Sequence, residues 1–301
     1  MKSKPKVIVI CGPTASGKTK LGIEVANKTD GEIVSADSMQ IYKYMDIGTA
    51  KPTQEERNLA KHYLIDYVEP DKRYSVADFK EDATKAIKDI LSKGKTPIIV
   101  GGTGLYINSL IYNIEFNEQK VDIEYRNEME KLETSILYDK AKKIDNEALS
   151  KISSKDRKRI IRIIEIYHST GKTKTELEAE SRKNVEFDYK IFVLNMDRDK
   201  LYDRINNRVD LMIKSGLIDE VKGLLKKYDE FPTAMQGLGY KEVVQYLDNQ
   251  ITKEEMIEKI KQESRRYAKR QLTWFRSYKQ AVWLKADNTE NSNFIINLTL
   301  E

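Results

Sequence analysis

The feature that most constrains the fold is a glycine-rich turn placed directly between an apolar strand and a helix. Residues 6–11 form a β-branched run, which is followed at once by Gly12-Pro13-Thr14-Ala15-Ser16-Gly17-Lys18-Thr19. The spacing Gly-x-x-x-x-Gly-Lys-Thr is that of a phosphate-binding loop, and a helical pattern over residues 18–27 supplies the context that this motif needs. We therefore predict a strand, a phosphate loop and a helix at the start of the chain.

Each residue type in this loop has a chemical reason. The glycines let the backbone bend so that several N–H groups point at one anion, and the helix N-terminus adds partial positive charge. Lys18 is expected to reach terminal phosphate oxygens, and Thr19 is expected to hold a magnesium ion. The eight residues from Gly12 to Thr19 are thus predicted to bind a diphosphate or a nucleotide.

Later apolar runs predict the rest of a parallel sheet. Residues 32–35, 96–100 and 191–194 read as buried strands, and residues 76–92 read as a helix. The alternation of strands and helices predicts an α/β fold, namely a P-loop NTPase-like parallel sheet wrapped by helices. Residues 115–188 are highly charged and helical, so we expect a helical insertion domain within a catalytic core formed by residues 1–114 and 189–301.

Composition excludes several classes of protein. The longest apolar runs are strand-sized, far below the roughly 18 residues that span a bilayer. One cysteine, Cys11, cannot form an internal disulfide, and with two histidines the chain has too few ligands for a zinc cluster. We expect a cytoplasmic protein without a structural metal and without a membrane partner. The net charge of +5 does not by itself indicate nucleic acid.

Asp37 follows the second predicted strand and is a candidate catalytic base. A phosphate-loop ATPase usually has an acid after another buried strand to hold magnesium, but residues 96–100 run into Gly101-Gly102-Thr103-Gly104. In small phosphate-loop kinases an acid in the region of Asp37 meets the acceptor, which favours a base acting on an acceptor nucleophile. A helix cap or a turn residue is the alternative for Asp37.

Two basic segments suggest a polyanionic partner. In residues 155–167 an apolar stripe contains Ile160, Ile161, Ile163, Ile164 and Tyr167, and a basic stripe contains Lys155, Lys158, Arg159 and Arg162. Residues 264–279 include six basic residues, no acid and several aromatic residues. Contact with an RNA backbone explains both segments. A solvated face, aromatic core packing and helix-dipole stabilisation explain them as well.

Arg204 and Arg208 are predicted to lie one helical turn apart on one face. Guanidinium groups near a phosphate loop suit a diphosphate, because their planar forks match its oxygens. Surface ion pairs with neighbours such as Asp203 or Asp210 are the alternative.

Seven segments, in the same order, resemble the tRNA dimethylallyltransferase family, also called tRNA isopentenyltransferases, in its short bacterial form. They are GPTASGKT (12–19), DSMQIY (37–42), MDIGTAKP (45–52), HYLID (62–66), GGTGLY (101–106), QGLGYKE (236–242) and RYAKRQLTWFR (266–276). Together these segments are far more specific than any one of them, and they are spread over most of the chain.

The resemblance implies a reaction and its catalytic residues. Dimethylallyl diphosphate would bind with its diphosphate in the loop, and N6 of the adenosine 3′ of the anticodon would attack the allylic carbon. Asp37 matches the family's general base, Thr103 the residue that places the reacting groups, and Arg208 the arginine on the departing diphosphate. Lys18 and Thr19 would share that charge with Mg²⁺.

The resemblance also implies contacts with the anticodon stem-loop of tRNA. Such a base must leave its stack to be modified. The residues expected to contact tRNA lie in five segments, namely Ser38, Met39 and Gln40; Arg126; Lys158, Arg159 and Arg162; Gln236; and Lys269 and Arg270. We expect a monomer, because no long exposed apolar stripe in the sequence indicates a fixed partner.

Two other functions fit the phosphate loop. A small-molecule phosphotransferase would use a metabolite as its acceptor in place of RNA, and a nucleotide-switched RNA-binding module would bind RNA without turnover. The basic aromatic segment argues against the first function. Asp37 and Thr103, placed beside the loop, argue against the second.

Overall fold

A computed structural model of the chain describes residues 4–114, 122–183 and 185–300. Its six strands are β1 (Lys6–Cys11), β2 (Gly31–Ala36), β3 (His62–Tyr63), β4 (Thr96–Gly101), β5 (Asp188–Asn195) and β6 (Val282–Lys285). They form one parallel sheet in the order β3-β2-β4-β1-β5-β6. The predicted α/β fold with a parallel sheet wrapped by helices is confirmed.

Helices connect and cover these strands. In the first half they are α1 (Lys18–Lys28), α2 (Gln54–Leu59), α3 (Val76–Ser92) and α4 (Gly104–Ile111). A helical segment follows, with α5 (Ile123–Lys131), α6 (Thr134–Ile144), α7 (Asn146–Ser150), α8 (Arg157–Thr170) and α9 (Lys174–Lys183). After β5 come α10 (Arg198–Lys214), α11 (Leu217–Lys227), a short 3-10 helix (Ala234–Gln236), α12 (Tyr240–Leu247), α13 (Lys253–Phe275) and α14 (Asn291–Leu300). No helix in the described part of the chain is long and apolar enough to cross a membrane.

The chain divides into two compact units, one of residues 1–107 with 187–301 and one of residues 108–186. In the first unit, apolar side chains of the sheet pack against α1, and a second cluster joins α10–α13 to residues 41–45. In the second unit, buried isoleucines of α8 pack against α5, α6 and α7. The residue at which we predicted the insertion to begin, Glu115, lies outside the described residues.

Two details differ from the sequence prediction. The basic segment over residues 264–279 is not helical throughout, because α13, which begins after a Thr252–Glu255 capping box, ends at Phe275. Beyond it Tyr278 is buried, and its hydroxyl donates to the backbone oxygen of Gly104 at 3.4 Å. Tyr167 does not belong to the buried stripe of α8, because its side chain is 44% exposed.

The register of the sheet determines where the site lies. Cys11 at the end of β1 pairs with Gly101 at the end of β4, and Gly101 also pairs with Ala36 at the end of β2. The three strands therefore end level, and the segments after them meet at one edge. Ligands bind at this carboxyl edge in open parallel sheets.

Candidate active site

The phosphate loop joins β1 to α1 and depends on its glycines. Gly12 has φ +152°, and a Cβ there would lie 2.8 Å from the backbone oxygen of Leu194, so glycine is required. Gly17 caps α1 in a left-handed conformation. Because α1 begins at Lys18, the N–H groups of its first turn lack intrahelical partners. They can therefore bind an anion at the helix N-terminus. The buried Oγ of Ser16 has no hydrogen-bond partner in the described chain, which suits a donor to an anion.

Lys18 lies against the loop that precedes it. Its Nζ donates to the backbone oxygen of Pro13 at 2.7 Å. Burial and the nearby Arg208 guanidinium lower the pKa of Lys18 to about 8, while the charge of Asp37 acts in the opposite direction. An anion bound in the loop would favour the charged form of Lys18.

The segments that carry Asp37 and Thr103 meet beyond the ends of β2 and β4. Thr103 Oγ1 accepts a hydrogen bond from the backbone N–H of Ser38 at 3.0 Å. Asp37 Oδ1 accepts from the backbone N–H groups of Met39 at 2.9 Å and Gln40 at 3.3 Å. Asp37 is therefore a turn residue as well as a candidate base. Its Oδ2 makes no hydrogen bond to the described residues, so this oxygen can accept a proton.

Arg208 and Arg204 share α10 but have different surroundings. The Nη1 of Arg208 donates to Thr14 Oγ1 in the phosphate loop at 3.1 Å, and burial lowers its pKa. Arg204 is exposed and pairs with Asp287 at 2.8 Å. Arg208 therefore fits the diphosphate-binding interpretation because it lies at the pocket, and Arg204 fits the alternative because it makes a surface ion pair.

One pocket at the carboxyl edge of the sheet contains many of the residues singled out from the sequence. Its lining includes Thr14, Lys18, Thr19, Asp37, Gln40 and Arg208. Gly101 and Gly102 complete this wall beside Thr103. The phosphate loop, an arginine and a carboxylate from three separate parts of the chain therefore face the same space.

The pocket also has residues that sequence reasoning missed. Tyr267 and Gln271 reach it from α13, and its apolar part contains Ile33, Pro52, Ile65 and Val100. Burial raises the pKa of Tyr267 to about 12. His62 lines the pocket too; its Nδ1–H donates to the backbone oxygen of Ala60 at 2.7 Å, and burial lowers its pKa, so the ring is neutral. The sequence signal that could have revealed Gln271 was its polar side chain within the otherwise apolar stripe of α13.

The predicted tRNA-binding residues of the first unit lie on three segments, and one of these residues, Gln40, also lines the pocket. A Cβ at Gly237 would meet Met39 Cε at 2.7 Å, so the turn that carries the exposed Gln236 packs on the segment after Asp37. Gln40 donates from Nε2 to the backbone oxygens of residues 49 and 50. Lys269 and Arg270 are exposed on α13, and the guanidinium of Arg270 lies 5.7 Å from the ring centroid of Tyr267.

In the second unit, the basic stripe of α8 is exposed as predicted. Lys158, Arg159 and Arg162 all face solvent. Arg126 pairs with the buried carboxylate of Glu165 at 3.2 Å and with Glu130 at 3.1 Å, and Arg162 also contacts Glu165 at 3.5 Å. Contact of these four basic residues with tRNA stays a prediction.

The comparisons with known proteins agree with the fold and name a family. The family model described as IPP transferase matches residues 40–278. A tRNA dimethylallyltransferase of Acetivibrio thermocellus is 53% identical over 296 residues, covering 96% of this chain and 95% of that protein. One of Clostridioides difficile is 49% identical over 296 residues, covering 97% and 94%.

Solved structures agree as well. The tRNA isopentenylpyrophosphate transferase of Bacillus halodurans has a TM-score of 0.75 and 41% identity, covering 98% of this chain and 95% of that one. A eukaryotic dimethylallyltransferase, whose structures are described as acting on tRNA, has a TM-score of 0.85 and 31% identity, covering 97% and 78%. The chain belongs to the IPP transferase family and is a prenyltransferase that modifies tRNA.

Proposed function

We propose that this enzyme transfers the dimethylallyl group of dimethylallyl diphosphate to N6 of the adenosine 3′ of the anticodon in tRNA. The observation that carries the proposal is the meeting of the phosphate loop, Arg208 and the open Oδ2 of Asp37 around one pocket. A diphosphate site next to a carboxylate suits a reaction in which diphosphate leaves and the nucleophile loses a proton.

The phosphate loop holds the leaving group in this proposal. The N–H groups at the start of α1, the Oγ of Ser16 and the Lys18 ammonium receive the diphosphate oxygens. Arg208, positioned through its bond to Thr14, stabilises the negative charge that develops as the carbon–oxygen bond breaks. The apolar part of the pocket and the neutral ring of His62 suit the hydrocarbon tail of the donor.

Asp37 is the base for the adenine amine. As N6 forms a bond to the allylic carbon, the bond from that carbon to the diphosphate oxygen breaks, and one N6 proton moves to Oδ2 of Asp37. Its Oδ1, held by two backbone N–H groups, fixes the carboxylate in orientation. Thr103, joined to Ser38 at 3.0 Å, places the acceptor beside it.

Magnesium fits the oxygen donors of this pocket. Thr19, Ser35 and Asp37 line it with hydroxyl and carboxylate oxygens, and no cluster of three or more His, Cys, Asp or Glu side chains suited to a metal occurs in the described chain. Mg²⁺ commonly takes one or two protein oxygens and completes its shell with substrate phosphates and water. Thr19 would hold it, and the bound ion would neutralise diphosphate charge.

The RNA partner would be recognised beyond the pocket. Ser38–Gln40, Gln236, Lys269 and Arg270 would contact the flipped base and its loop, and Lys158, Arg159 and Arg162 with Arg126 would contact the stem backbone. We propose a monomer, because all residues lining the pocket come from one unit of a single chain. We also propose that the enzyme works in the cytoplasm, where its tRNA substrate would be modified.

The test is incubation of unmodified tRNA with the enzyme, Mg²⁺ and dimethylallyl diphosphate, followed by nucleoside mass analysis. We expect one prenyl unit on adenosine at the position 3′ of the anticodon. A parallel reaction with ATP and a mixture of nucleosides and small alcohols should give no phosphorylated product. Phosphate transfer without prenylation of any tRNA would overturn the proposal.

A further inference from the structure

Gln271 holds two parts of the pocket together through one buried amide group. Its side chain lies on α13 and is 6% exposed. Its Oε1 accepts from the backbone N–H of Thr14 at 2.8 Å, and its Nε2 donates to the backbone oxygen of Gly102 at 2.9 Å. One end of the amide must accept and the other must donate, so this pair of partners defines its orientation.

The two partners belong to different functional segments. Thr14 is part of the phosphate loop, and Gly102 precedes Thr103 in the turn that faces Asp37. A Cβ at Gly102 would lie 2.3 Å from Nε2 of Gln271 and 3.5 Å from the backbone oxygen of Gly12. A side chain at position 102 would displace the Gln271 amide, and Gln271 lies where the two turns touch.

Thr14 is held from two sides. Its backbone N–H is bonded to Gln271 on α13, and its hydroxyl accepts from Arg208 on α10 at 3.1 Å. The two helices are themselves joined, since Arg265 on α13 donates to Asn206 Oδ1 on α10 at 2.6 Å. The position of the phosphate loop relative to the Gly102 turn therefore depends on α13.

We propose that Gln271 is a positioning residue for the transfer step. It keeps the phosphate loop at a set distance from the Gly102–Thr103 turn, so that the carbon attached to the diphosphate meets the nucleophile beside Asp37. A small error in this distance lowers the rate strongly even when both substrates bind. The inference rests on the proposed function, because it assumes that the loop holds the donor diphosphate.

If Gln271 only packed in the core, an apolar side chain of similar size would serve equally well. A buried amide is costly unless both of its ends are bonded, and the two hydrogen bonds of Gln271 to Thr14 and Gly102 both go to backbone of the pocket wall. Gln271→Met keeps the length of the side chain and removes both hydrogen bonds. Gln271→Glu keeps the shape and the acceptor but places an oxygen opposite the Gly102 carbonyl.

The experiment compares these variants with Gln262→Met, a matched change at an exposed position of the same helix. The transfer rate is measured in a single turnover, with enzyme and dimethylallyl diphosphate saturating over tRNA, beside the Kd for tRNA and the thermal midpoint. We expect Gln271→Met and Gln271→Glu to slow transfer about 10- to 100-fold. The Kd for tRNA should stay within about twofold, because no RNA contact is lost, and Gln262→Met should behave like the unchanged enzyme.

Three results would overturn the inference. They are a saturated rate for Gln271→Met close to that of Gln262→Met, a loss confined to tRNA affinity, and unfolding of both Gln271 variants below the assay temperature. If the unchanged enzyme itself fails to prenylate tRNA, the proposed function fails, and that result is visible in the same experiment.

Discussion

The pKa of Lys18 predicts how donor binding changes with pH. Burial and the Arg208 charge lower this pKa to about 8 in the ligand-free pocket, so the ammonium is mostly charged at pH 7 and half neutral at pH 8. Only the charged form can pair with the diphosphate. The Kd of dimethylallyl diphosphate should therefore rise about twofold from pH 7 to pH 8 and about tenfold from pH 7 to pH 9.

Proton uptake gives an independent measure of the same effect. Binding of the diphosphate raises the pKa of Lys18 again, so complex formation at pH 8 should take up about half a proton, and at pH 6.5 almost none. Calorimetric titrations with saturating Mg²⁺ in two buffers of different ionisation enthalpy measure this number. Lys18→Arg, which stays charged throughout, serves to subtract any ionisation of the donor itself.

A Kd of dimethylallyl diphosphate that stays constant between pH 7 and pH 9, with no proton uptake at pH 8, would contradict a lowered pKa of Lys18.

The same lowered pKa affects the free energy of unfolding. The folded state disfavours the charged lysine, so this destabilisation is fully present below pH 8 and disappears as pH rises above the unfolded pKa of roughly 10.4.

Two further predictions concern charges at and beyond the pocket. Arg208→Gln removes the hydrogen bond to Thr14 and the positive charge that stabilises the departing diphosphate, so the single-turnover transfer rate should fall about 100-fold or more. An unchanged rate would show that Arg208 has no part in the mechanism. Replacing Lys158, Arg159 and Arg162 together by serine should weaken tRNA binding and lower the slope of log K against log salt by about two to three. Filter binding at several salt concentrations measures that slope, and an unchanged slope would show that this stripe is only a solvated surface.

Local patterns were enough to predict the phosphate loop and four of the six strands, but they missed the short edge strands β3 and β6. The glycine spacing between an apolar strand and a helix is a short-range signal, and the position of Asp37 follows from the strand before it. The level ends of β1, β2 and β4 then bring these segments together, as expected for a parallel sheet.

Long-range contacts could not be predicted in this way. Gln271 is 257 positions from Thr14, and its place in an apolar stripe indicated core packing and not a contact with the pocket wall. Arg204 and Arg208 are both arginines one helical turn apart on α10, but Arg204 makes a surface ion pair and Arg208 lies at the pocket. Tyr167 followed the apolar period of α8 but lies at its exposed margin. Such differences depend on the tertiary packing of each helix.

The most direct test of the account is the single-turnover rate of Asp37→Asn beside its affinity for tRNA. Asparagine keeps an oxygen for the two backbone N–H groups and cannot accept the N6 proton. We predict that transfer slows about 100-fold or more, while the Kd for tRNA stays unchanged. A transfer rate equal to that of the unchanged enzyme, with tRNA bound equally well, would contradict the assignment of Asp37 as the base.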